Sequence, residues 1–238
     1  MSSFYSTITW GVFRLRLSGE ASRPVNYAKM GRSMQLRANK RIITTILAVV
    51  IWFALWLLVP GLTENSIGAR LSDNAQTGLL IDIFLAGITL VILFLTHRRF
   101  SQTLFKKQPI IWLYLLPFAA IMLIPLRVDG IDGEIFGNPA WLYVSMMIAN
   151  VVTQQYLTFG LLQSHLNTVL SPWVSVIATT VIFYLGHALL LPDRFAPTLV
   201  VNALFILTLG LIFASLRQKT GTLHANIALH LAFYMVLI

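Results

Sequence analysis

The 238-residue chain contains no cysteine. Disulfides, thiolate metal sites and a cysteine nucleophile are therefore excluded. Charge is scarce too: Asp, Glu, Lys and Arg make up 11% of the residues, and only 8 are acidic. Against this stand 57% hydrophobic residues and a mean hydropathy of +0.78. Ordinary globular chains carry about a quarter charged residues, so a soluble domain of this length is excluded. The chain reads as an integral membrane protein.

Seven apolar runs follow a basic tail: Ile42–Leu62, Gly78–Thr96, Pro109–Leu126, Pro139–Leu162, Pro172–Leu191, Ala196–Leu216 and Leu223–Ile238. Most approach the roughly 20 residues that cross a ~30 Å hydrocarbon core. The last, 16 residues, would span only about 24 Å at ~1.5 Å per residue, so thin membrane or its neighbours must hold it. The run after the tail is too long for a cleavable signal peptide, and Met30 and Met34 are alternative starts.

A net charge of +9 could mark a nucleic-acid binder, but the placement of the cations argues otherwise. With the N-terminus inside, only Arg70, Arg127 and Arg194 of the 17 Lys and Arg fall in outer segments. This is a positive-inside bias, and most acids lie outside. The expected fold is all-α: a polytopic membrane bundle of about seven helices, N-in and C-out, with a basic tail over 1–41 and the bundle over 42–238. No nucleic acid is expected as a partner; the lipid bilayer is. The tail reads as solvated and unstructured. Asp82, the one carboxylate inside a run, reads as a helix-end acid reaching interfacial water. The acid- and glycine-rich stretch Arg127–Glu134 is too short for an EF-hand loop and reads as a solvated turn.

Polar residues concentrate in the second half. Asn150, Gln154 and Gln155 lie in run four, His187 in run five, Asn202 in run six, and Asn226, His230 and Tyr234 in run seven. Phe183 and His187 share a helix face at i,i+4, as do Asn226, His230 and Tyr234 at i, i+4 and i+8. Polar side chains at membrane depth are costly when they face lipid, so these faces are expected to line one shared pocket. Each alone has a bland alternative as interhelical hydrogen-bonding glue.

Three of these stretches resemble the motifs of the CAAX-protease and bacteriocin-processing (Abi, or CPBP) intramembrane endopeptidases. Gln154-Gln155-Tyr156-Leu157-Thr158-Phe159-Gly160 is similar to the family's Glu-Glu-x-x-x-Arg followed by Gly. Phe183-Tyr184-Leu185-Gly186-His187 matches Phe-x-x-x-His, and His230-Leu231-Ala232-Phe233-Tyr234 occupies the place of His-x-x-x-Asn. The resemblance covers 141–238 and implies Gln154, Gln155, His187 and His230 at the active-site positions. Asn150, Phe159, Phe183, Asn202, Asn226 and Tyr234 are expected around the pocket.

The departures are coordinated. The resemblance implies that the first Glu activates a water while the histidines position it or stabilise the oxyanion, and a metal role is also implied. An amide at Gln154 can orient a water but has no usable basicity. Gln155 replaces the second Glu, Phe159 the Arg, and Tyr234 the Asn. Once both carboxylates are gone, a membrane-buried Arg would lack its partners, so the neutral set is self-consistent. The expectation is a catalytically degenerate member in a bacterial cytoplasmic membrane. It would hold a hydrophobic or lipidated peptide, partner an active protease, or confer bacteriocin immunity. Two alternatives stand beside it. One is an endopeptidase using His187 or His230 as base, or zinc or another divalent metal held by both. The other is a small transporter, against which no inverted repeat is visible.

Overall fold

The computed structural model describes residues 27–62, 66–127, 133–135 and 137–236. The chain divides into two compact units, Met1–Lys40 and Arg41–Ile238. The expectation for the first 26 residues lies outside the described residues. From Tyr27 onward the tail is helical, not unstructured, because helix α1 runs through Tyr27–Trp56.

Among the described residues the larger unit is made of helices joined by turns and one minimal hairpin. After α1 come α2 (Ile67–Leu71), α3 (Ala75–Thr96), α4 (Arg98–Leu104), a 3-10 turn over Pro109–Tyr114, and α5 (Leu115–Arg127). Strands β1 (Glu134–Ile135) and β2 (Asn138–Pro139) pair antiparallel, while most of the stretch read as a solvated turn, 128–132, lies outside the described residues. Then follow α6 (Ala140–Gln154), a π-helix (Gln155–Leu162), α7 (Gln163–Val169), α8 (Pro172–Leu190), α9 (Pro192–Phe195), α10 (Val200–Thr220) and α11 (His224–Val236). Local chemistry sets the boundaries. Asn74 Oδ1 caps α3 by accepting from the Thr77 N–H at 3.0 Å, and Pro172 opens α8 at a position with no N–H to satisfy.

The protein is an integral membrane protein. Four helical segments are long and apolar enough to cross a bilayer: Asn39–Trp56, Ala75–Thr96, Pro172–Leu190 and Val200–Thr220. Large apolar side chains on them face outward, among them Phe84 (67% exposed) and Val201 (79%), as lipid contact requires. The other three apolar runs are less regular. Run three starts as a 3-10 turn, and α11 has 13 residues. Run four continues without a break as α6, π-helix and α7 from Ala140 to Val169.

Inside the unit, α8 packs along α10, α11 lies against α5 and α6, and α3 against α6. Trp52, Trp56, Tyr156, Phe159, Phe183 and Phe213 form the buried centre. Asp82 departs from expectation. It is buried, and its Oδ1 accepts the Gly68 N–H at 2.8 Å, at the first turn of α2. The carboxylate thus satisfies one of the orphan donors of a helix N-terminus instead of reaching interfacial water.

Candidate functional site

The first motif begins where the α-helix widens into a π-helix. A π turn closes over five residues: the Gln163 N–H bonds to the Thr158 carbonyl. Side chains four apart then no longer superimpose, so the motif's residues diverge to different partners. Gln155 reaches α11, where its Nε2 donates to His230 Nδ1 at 2.8 Å. Tyr156 and Ser101 of α4 share a hydrogen bond of 2.6 Å between their hydroxyls. Thr158 Oγ1 accepts from the Trp52 indole N–H at 3.1 Å, and Phe159 turns into the aromatic centre.

Gln154, still on α6, belongs to a relay whose direction is fixed by a backbone carbonyl. Pro60 O can only accept, so Asn150 Nδ2 donates to it at 2.6 Å. Asn150 Oδ1 in turn accepts from Gln154 Nε2 at 2.7 Å. Both glutamines are fully buried, and the Oε1 of each is without a hydrogen-bond partner. Such an orphaned acceptor is expensive unless something supplies a donor.

The two histidines come from α8 and α11. His187 Nδ1 donates to the Phe183 carbonyl at 3.0 Å. Its ring meets Trp56 edge-on at 5.1 Å and Phe183 at 4.5 Å between centroids. His230 lies against Phe213 at 5.0 Å and stacks on Tyr234 at 5.1 Å. Phe159, in contact with Phe183 (5.2 Å) and Phe213 (5.7 Å), completes an aromatic series between the two imidazoles. It occupies the position where the resemblance implies a cation.

Both histidines open onto one cavity of about 520 Å³. Its wall also includes Asn150, Phe183 and Tyr234 from the sequence-derived set. Gln154, Gln155 and Phe159 stand behind that wall, not in it. Asn202 and Asn226 do not reach it. Asn202 is exposed, and its Nδ2 donates to the Arg194 carbonyl at 2.8 Å. One turn before His230, Asn226 meets the α10 backbone instead, donating to the Phe213 carbonyl at 3.0 Å.

Several lining residues were not found from the sequence. Leu57–Leu62 leaves the helix, and Gly61, at φ +73°, together with Leu62 turns onto the cavity. The Pro60-Gly61 pair inside an apolar run was the available signal. Arg194, on α9, supplies the one formal charge among the described lining residues, and none of them carries a carboxylate.

The donor set does not suit a metal. Among the described residues no three His, Asp, Glu or Cys side chains come together. Moreover, an amide N–H pointing at His230 Nδ1 leaves the ring's proton on Nε2, where a ligand would need a lone pair. Asp82, the one carboxylate inside an apolar run, accepts from the Gly68 N–H and does not line the cavity.

A membrane-embedded helical protein with two histidines on one cavity and a glutamine pair where an α-helix widens into a π-helix is thus defined. Residues 136–236 match the family described as Rce1-like, type II CAAX prenyl endopeptidase Rce1-like. Over that segment, the chain is similar to the CAAX-protease endopeptidases. No curated protein and no solved structure matches it.

Proposed function

We propose that the chain is a pseudoprotease of its family, a membrane protein that holds a hydrophobic or lipidated peptide, or a partner protein, without cleaving it. One observation carries the reading. At the two positions where the resemblance implies carboxylates, buried amides are tied into hydrogen bonds to Asn150 and His230, and no acid lines the cavity among the described residues. Hydrolysis of an amide needs a group that takes a proton from water, and an amide side chain cannot. The N-in, C-out orientation and a bacterial cytoplasmic membrane belong to the same proposal, the orientation supported by the bias of the cations. Metal-assisted cleavage has no support in the donor set, and His187 as lone base would lack a carboxylate to orient it.

The test is endopeptidase activity of the purified protein on lipidated and transmembrane peptides. It is run beside the variant Gln154→Glu, Gln155→Glu, Phe159→Arg. The native protein is expected to be inert. Cleavage by the native protein that is lost in His187→Ala and His230→Ala overturns the proposal; cleavage gained only by the triple variant supports it.

A further inference from the structure

The hydrogen-bond partners of the two histidines are of opposite kinds. The Phe183 carbonyl can only accept, so His187 carries its proton on Nδ1, leaving a lone pair on Nε2. The Gln155 amide nitrogen can only donate, so His230 offers a lone pair at Nδ1 and carries its proton on Nε2. An imidazolium at His187, buried with no carboxylate among the described lining residues, would be an uncompensated charge. Both rings line the same cavity. It therefore faces its contents with one nitrogen donor and one nitrogen acceptor.

We propose that Gln155, acting through His230, makes this cavity a two-point receptor for a neutral secondary amide: His230 Nε2–H donates to its carbonyl and His187 Nε2 accepts its N–H. The proposal rests on the reading that the cavity holds a ligand without cleaving it. Gln155 is a positioning residue, since it does not line the cavity. A carboxylate in its place can only accept, which turns His230 over to the Nδ1–H form and gives the cavity two acceptors. The Gln–Glu difference at this position thus changes what the site recognises as well as its basicity. An ester, a tertiary amide or a carboxylate offers no N–H to His187 and loses one of the two contacts.

The experiment is NMR of the full-length protein in lipid nanodiscs with 15N-labelled histidine, the five resonances assigned from single His→Asn variants. His187 is expected as the Nδ1–H tautomer and His230 as the Nε2–H tautomer. In Gln155→Glu, His230 is expected to switch. N-methylacetamide as probe should shift both Nε2 signals, whereas N,N-dimethylacetamide should shift only that of His230, with binding at least tenfold weaker. The proposal is overturned by identical tautomers at the two sites, by an unswitched His230 in Gln155→Glu, or by equal effects of the two probes. The wild-type tautomers decide even where the variant does not fold. Peptide cleavage by a protein with opposed tautomers would sink the pseudoprotease reading alone. Identical tautomers in an inert protein would sink the amide receptor alone.

Discussion

Gly186→Ala is a direct probe of how the second motif is held. Gly186 precedes His187, and a methyl group on it would lie 2.6 Å from Trp56 Cε3, against Trp56 Cζ3, and 2.9 Å from Trp52 Cη2. Carbon atoms pack best at about 3.5–4.0 Å, so the Trp56 indole must retreat by about 1 Å. It has nowhere to go: Trp52 lies tilted against it at 4.6 Å, while Phe183 and His187 meet it edge-on at 5.8 and 5.1 Å. Overpacking a rigid core costs about 1–3 kcal/mol, and fully buried rings with no flexible end put this case near 2–3 kcal/mol. The matched control is Gly87→Ala, an exposed position on α3 where a methyl meets nothing within 4 Å. There the better helix propensity of Ala should stabilise by up to about 1 kcal/mol. Both are read by equilibrium unfolding in mixed micelles of increasing SDS content, followed by tryptophan fluorescence. A loss below about 0.5 kcal/mol for Gly186→Ala with unchanged emission, or an equal loss for Gly87→Ala, would refute the close packing of α8 on the tryptophan pair.

Two further substitutions test the departures from the family pattern. Phe159→Arg alone buries an unpaired cation between Phe183 and Phe213 and should cost about 3–5 kcal/mol. Adding Gln154→Glu and Gln155→Glu should recover at least about 1 kcal/mol, measured as a coupling energy in the same unfolding assay; additive losses would mean that the three positions do not form one electrostatic unit. Asp82→Ala leaves the buried Gly68 N–H without its acceptor and should cost about 1.5–3 kcal/mol, Asp82→Asn less. No loss in either variant would restore the interfacial reading of this acid.

How far the site could be read from the chain depended on whether its residues were tied to local spacing. Phe183 and His187 do share a face, as do His230 and Tyr234, because i,i+4 on a helix is fixed by backbone geometry alone. Asn226 satisfies the same spacing yet faces the α10 backbone, since periodicity gives a direction around the helix but not what stands there. Gln154 and Gln155 were legible as a pair, but an α-helical register could not reveal that the helix widens between them and Phe159. Asp82 was misplaced because its partner, Gly68, belongs to a short helix that carries no hydrophobic signal.

The sequence by itself determined the membrane environment, the helical class and the order of the three motifs. Transfer of apolar residues out of water and the 3.6-residue repeat act locally, residue by residue. Only the tertiary structure decided which polar groups meet. It took the Pro60 carbonyl to orient Asn150 and Gln154, and α11 to bring His230 to Gln155. Hydrogen bonds between residues 75 or 90 positions apart depend on how helices pack, and packing is a property of the whole bundle.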